Sequence, residues 1–200
     1  SVNHKKTKEN SPPKILFVGR LSESKGIFEL LDALKEVRAR GFDFTLLMAG
    51  NCNGIIKEKI ELLCGNNFTV ELLGQVDFDK LCELYTTSDF GIIPSLHEQC
   101  SYVAIEMAMF GVPLIVSDVD ALAELFEHDK TALKIPTTFN ENEGLKLNRE
   151  SLVESVIKMI EDVEFRRNIG VNVNKLYDEK FTLKTMIDKI INEYGKLIFN

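Results

Sequence analysis

Between Pro94 and Pro113 the chain reads PSLHEQCSYVAIEMAMFGVP, and three residues in it have the types and spacing to do chemistry together. Ser101 can cap a helix that starts at the next residue. That leaves the amides of Tyr102 and Val103 at its positive end, a ready site for an anion such as phosphate. Glu106 lies five residues past Ser101, about 7.5 Å along a helix axis. Its neighbours at three and four residues, Tyr102, Val103, Met109 and Phe110, are apolar, so its carboxylate is costly on that face without a partner. A ligand hydroxyl would be one such partner; a neighbouring Arg, Lys or backbone amide would be another. The separation suits a nucleotide whose phosphate sits at the helix start and whose ribose lies one turn further on. Glu98 precedes the same helix in a loop, where a lone Glu is ordinarily a surface residue, but seven residues separate it from Glu106.

A second group of charges lies near the start, in Gly19-Arg20-Leu21-Ser22-Glu23-Ser24-Lys25-Gly26. Arg20 offers a planar fork and Lys25 a mobile point charge, a combination suited to a diphosphate. The segment is neither a P-loop nor a G-x-G-x-x-G fingerprint, which argues against a P-loop NTPase or a dinucleotide dehydrogenase.

The elements that must position these groups follow from hydropathy. From Lys14 onward, short apolar runs alternate with longer amphipathic stretches, the pattern of βαβ units around a parallel sheet. Strands are expected at Ile15–Val18, Phe44–Ala49, Thr69–Leu73, Phe90–Pro94, Pro113–Ser117 and Ala132–Ile135. Helices are expected at about 26–40, 54–65, 78–88, 101–110 and 121–127. Gly19, Gly50, Gly74, Ser95 and Ser117 stand at strand ends, where an open α/β sheet holds its ligand and backbone must approach closely. The polar stretch 137–148 reads as a surface loop, and closing helices are expected at about 150–161, 163–178 and 183–198. The last has an apolar face of Ile187, Ile190, Ile191, Tyr194, Leu197 and Ile198, which would pack on this domain or dock on another.

Composition narrows the function classes. At 200 residues, 44% hydrophobic and 28% charged, the chain can bury the core of one soluble domain. A net charge of −7 disfavours a nucleic-acid partner, and the one basic cluster, His4-Lys5-Lys6 with Lys8, reads as part of a solvated leader or linker over residues 1–13. Cys52, Cys64, Cys82 and Cys100 form no C-x-x-C pair and have no His at metal-ligand spacing, so reduced thiols, a cytoplasmic location and no metal are expected. No run approaches the length of a membrane span, and residues 1–13 lack the apolar region of a signal peptide.

Taken in order, F-V-G-R-L-x-x-x-K-G, then L-L-G-Q-V at 72–76, then E-x7-E leading into E-M-A-M-F-G-V-P-L-I-V-S, the chain resembles the donor domain of family 4 glycosyltransferases of the GT-B fold. The likeness runs from Lys14 to the C-terminus. It implies a Rossmann-like three-layer αβα domain with about six parallel strands over residues 14–200, one half of a GT-B fold. The N-terminal acceptor domain would be absent from this chain, and residues 1–13 would be an interdomain linker. It implies retaining transfer of a hexose from a nucleotide-diphosphate sugar, with UDP favoured over GDP and without a bound metal or cofactor. The acceptor would be a saccharide or glycolipid held through the missing domain, in a cytoplasmic protein that could meet the inner face of the membrane. The fragment alone would transfer little or nothing, because acceptor positioning supplies much of the barrier reduction.

The same resemblance assigns roles at matching positions. Glu98 would be catalytic, contacting the sugar near the reacting centre. Arg20 and Lys25 would bind the diphosphate and steady the leaving group, Val76 just after Gly74 would meet the base through its backbone, the amides of Ser101 and Tyr102 would complete the phosphate site, and Glu106 would hold the ribose hydroxyls. Two positions depart from many relatives: Cys100-Ser101 stands for Phe-Gly, and Asp120-Ala121 for a Gly-Gly pair near the donor sugar. An acidic side chain at 120 would bind a sugar hydroxyl or narrow the pocket. The competing readings are a nucleotide-sugar epimerase of related fold and a non-catalytic nucleotide-sugar-binding adapter that kept the fold.

Overall fold

A computed structural model describes residues 11–65, 67–141 and 144–198; most of the expected leader lies outside these residues. Nine parallel-sheet and helical elements come first: β1 (Lys14–Val18), α1 (Ile27–Ala39), β2 (Thr45–Ala49), α2 (Gly54–Cys64), β3 (Thr69–Gly74), α3 (Phe78–Thr87), β4 (Phe90–Ile93), α4 (Tyr102–Met109) and β5 (Leu114–Ser117). They are followed by α5 (Asp120–Leu125), β6 (Leu133–Ile135), β7 (Thr137–Asn140), β8 (Gly144–Leu147), α6 (Arg149–Glu161), α7 (Val163–Lys180) and α8 (Leu183–Ile198). A single 3-10 turn, Glu23–Lys25, precedes α1.

Six strands form one sheet in the order β3-β2-β1-β4-β5-β6, and every pairing in it is parallel. Strands bracketed by helices on both faces must be apolar throughout. β4 and β5 are buried at every residue. Two core clusters result, one on each face: Ile15, Phe17, Leu46, Met48 and Ile92 pack beneath α1 and α6, while Leu16, Leu47, Ile93, Leu114 and Val116 pack beneath α3, α4 and α7. This is the Rossmann-like three-layer architecture expected from the sequence, with its six parallel strands.

Chain order reverses between β1 and β4, because β2 and β3 extend the sheet one way and β5 and β6 the other. In such sheets the crevice for a ligand opens beyond the carboxyl ends of the strands at this switch point. The two loops that border it are 19–26, after β1, and 94–101, after β4. They carry the charged residues singled out above.

One expectation changes, and one open alternative narrows. The stretch 137–148 contains an antiparallel hairpin, with Thr137 opposite Leu147 and Asn140 opposite Gly144. Thr137, Thr138 and Phe139 on one side and Leu145 and Leu147 on the other supply β-branched, aromatic and apolar residues suited to a pleated ribbon. Second, α8 meets α7, but its described large apolar side chains, Leu183, Met186, Ile187, Ile190, Ile191 and Tyr194, are all exposed. Leu197 and Ile198 lie among residues whose side chains are not described.

A buried ion pair and side-chain hydrogen bonds hold α7. Arg166 of α7 pairs with Asp89 at 3.4 Å, with side chains 11% and 6% exposed, and also donates to the carbonyl of Met159. Asn174 Nδ2 donates to the carbonyls of Ala108 and Met109, satisfying the free carboxyl end of α4.

Candidate functional site

The geometry at the switch point depends on close backbone approach. Gly26 has φ 66°, and a Cβ there would stand 1.9 Å from the carbonyl oxygen of Pro94; only glycine lets the start of α1 lie against the end of β4. The Leu96 amide donates to the carbonyl of Ser24 at 3.0 Å, locking the two loops together. A Cβ on Gly50 would likewise meet the Gly19 carbonyl at 1.8 Å.

Locked in this way, Lys25 and Glu98 come into contact. Lys25 Nζ lies 2.6 Å from Glu98 Oε2, with side chains 30% and 11% exposed, and Ser95 Oγ donates to the same oxygen at 3.1 Å. Glu98 is therefore not the surface residue that an isolated loop Glu would be; it is a largely buried carboxylate aimed at the strand end. Ser117 Oγ donates to the Ser95 carbonyl and fixes the loop from β5. Arg20, by contrast, is exposed, and its guanidinium has no hydrogen-bond or ion-pair partner among the described residues.

Ser101 is the N-cap of α4, as expected: its Oγ accepts from the Ala104 amide at 3.3 Å. The amides of Tyr102 and Val103, in the first turn, are not used by the helix itself. Glu106 is half buried on the same helix, and its partner is one the sequence reading did not identify. Tyr85 of α3, buried, donates its phenol to Glu106 Oε2 at 2.7 Å. Burial, reinforced by the hydrogen bond to Glu106, holds that phenol well above its ordinary range, so it stays a donor. Among the described residues the second oxygen of Glu106 has no hydrogen-bond partner, which leaves it for another group.

Gly74 ends β3 at φ 64°, with Val76 half buried just beyond it. Between them Gln75 Oε1 accepts from Asn51 Nδ2 at 2.9 Å, an amide pair at the ends of β2 and β3. The site thus joins Lys25, Glu98 and Ser95 directly, and carries Ser101, Tyr102 and Glu106 on the helix that follows. Arg20, Gly74 and Val76 occupy the ends of β1 and β3 on the same edge of the sheet. Among the described residues no three His, Cys, Asp or Glu side chains gather as a metal ion would require.

A doubly wound α/β domain with cations, carboxylates and helix amides around its switch point is the class defined by this fold and site. The chain belongs to the glycosyl transferases group 1 family, whose model matches residues 12–162. It is 32% identical over 183 residues to an uncharacterized glycosyltransferase of Methanocaldococcus jannaschii, covering 90% of this chain and 44% of that protein. Its fold matches a glycosyltransferase from Rickettsia africae with a TM-score of 0.78 at 21% identity, over 96% of this chain and 49% of the other. It also matches Anabaena HepE in complex with UDP and glucose, with a TM-score of 0.74 at 19% identity, over 92% and 48% of the two chains. The chain spans less than half the length of the curated relatives it matches over most of its own extent.

Proposed function

We propose that this chain is the donor-binding half of a GT-B glycosyltransferase, lying C-terminal to the half that holds a saccharide or glycolipid acceptor. The observation that carries the reading is the Lys25–Glu98–Ser95 cluster at the switch point, beside a capped helix start and a half-buried Glu106. A diphosphate fits the cations and helix amides, with Arg20 and Lys25 countering the negative charge that grows on the leaving nucleotide. Glu106, oriented by Tyr85, would take the ribose hydroxyls; the backbone at Val76 would meet the base; Glu98 would contact the sugar at the reacting centre. The complex of a structural neighbour with UDP and glucose supports a UDP-type donor, which we place ahead of GDP. Transfer with retention, without a resident metal, in the cytoplasm or at the inner face of the membrane, completes the proposal.

The competing readings, an epimerase or a binding adapter, make different predictions. In a protein that carries both halves, Glu98→Gln removes the carboxylate charge while keeping its shape. Transfer should fall by about a hundredfold or more, the scale of losing a charged group that acts in the transition state, while nucleotide affinity is kept. Unchanged function in that variant would point to the adapter, and release of free epimerised sugar to the epimerase. The 200 residues alone are expected to bind nucleotide and transfer little; robust transfer by them would refute the half-enzyme reading.

A further inference from the structure

Asp120 stands at φ 42°, a left-handed conformation that strains a residue with a Cβ and persists where the surroundings hold it. Those surroundings are the backbone of Glu98. Asp120 Oδ2 accepts from the Glu98 amide at 3.0 Å, and the next residue, Ala121, donates its amide to the Glu98 carbonyl at 3.1 Å. The first two residues of α5 therefore occupy both backbone polar groups of Glu98. His97 Nδ1 lies 3.9 Å from the same Asp120 oxygen, beyond hydrogen-bond reach, so the Glu98 amide is the closer partner.

We propose that Asp120 is a positioning residue for Glu98, acting through its backbone and not on the substrate; the proposal rests on the donor-site reading above. Its physical need follows from Lys25. That ammonium holds the Glu98 carboxylate, and a bound diphosphate would compete for the same cation. With Lys25 drawn toward phosphate, Glu98 is left with Ser95 on its side chain and the Asp120–Ala121 clamp on its backbone. A glycine at 120 would reach this φ without strain but leave the Glu98 amide without its acceptor. Asparagine tolerates the same φ and keeps an acceptor oxygen, so the two variants separate strain from hydrogen bonding.

The test uses the 200-residue chain as wild type, Asp120→Gly, Asp120→Ala and Asp120→Asn. Amide hydrogen exchange at Glu98 is followed by NMR, and thermal melting is recorded alongside. Loss of the acceptor should speed Glu98 exchange about tenfold or more in the Gly and Ala variants, with Asn close to wild type. Calorimetry then compares bare nucleotide with a nucleotide sugar, chosen from UDP- and GDP-hexoses as one that wild type binds more tightly than its nucleotide. The extra affinity conferred by the sugar should be lost in Gly and Ala and restored in Asn, with nucleotide affinity the same throughout. Unchanged Glu98 exchange in Gly and Ala would overturn the clamp, and so would faster exchange with the sugar increment intact. If wild type binds neither nucleotide nor nucleotide sugar, the donor reading fails; in that case, or where no sugar adds affinity, the clamp is decided by the exchange data alone.

Discussion

At the residue scale, the chemistry depends on which side chains leave their charges available. Tyr85 spends its phenol on one oxygen of Glu106 and so fixes the direction of the other. Tyr85→Phe removes a hydrogen bond to a charged acceptor and should cost about 1.5–3 kcal/mol of stability. It should also weaken nucleotide binding several-fold, read by calorimetry; an affinity equal to wild type would mean that Glu106 is oriented by something else. Cysteine reactivity offers a separate check. Cys64 is buried while Cys52 and Cys100 are exposed, and burial pushes the Cys64 thiol from 9.0 up to about 11, with Lys35 partly opposing. A thiol reagent at pH 8 should therefore modify Cys52 and Cys100 in the native chain and Cys64 only on unfolding. Because the folded state holds the Cys64 proton more tightly than the unfolded one, this stability contribution is intact below pH 9.0 and lost as the pH rises toward about 11. Urea midpoints for wild type should fall more steeply across that window than those of Cys64→Ala; parallel curves would contradict the assignment. Ser101 and Glu106 were legible from sequence because capping and apolar helical neighbours are local signals. Tyr85, twenty-one positions away in sequence from Glu106, and Asp120, facing Glu98 from another loop, were not, since long-range partners leave no periodic trace.

At the element scale, the site exists because loops pack backbone on backbone. Gly26 is the key position: any Cβ would run into the Pro94 carbonyl at a φ that disfavours side chains. Gly26→Ala should destabilise the chain by roughly 2 kcal/mol or more through strain and overlap, and should separate Lys25 from Glu98, so nucleotide affinity falls further than in Lys25→Ala. An alanine variant with wild-type melting and affinity would show that the loops do not need this contact. The strands of the parallel sheet were legible almost to the residue because strands buried on both faces make continuous apolar runs, as Leu114–Val116 does in β5. The β7–β8 hairpin was missed because its strands are short and the sequence around them is polar, so hydropathy over the whole stretch averages to that of a loop. The 3-10 turn at Glu23–Lys25 was absorbed into the N-terminal loop for the same reason: three residues give no period to detect.

At the scale of the whole molecule, topology explains why distant motifs form one site. Arg20 and Lys25 follow β1, Glu98 and Ser101 follow β4, and these strands are adjacent at the reversal of chain order; the alternation of strands and helices indicated a parallel sheet but not this order. The helical period of α8 was plain in the sequence, whereas its exposure on this chain depends on tertiary packing that a period does not encode. Among the described residues, no helix is long and apolar enough to cross a membrane. The most direct measurement of the central claim is a calorimetric titration of the 200-residue chain with UDP, GDP and ADP in EDTA, repeated on Glu106→Ala. The donor-site account predicts selective binding of one nucleotide, UDP first, that the substitution weakens by about tenfold or more, as loss of a charged hydrogen-bond acceptor should. Binding of equal strength in wild type and Glu106→Ala, or no discrimination among the three bases, would contradict it.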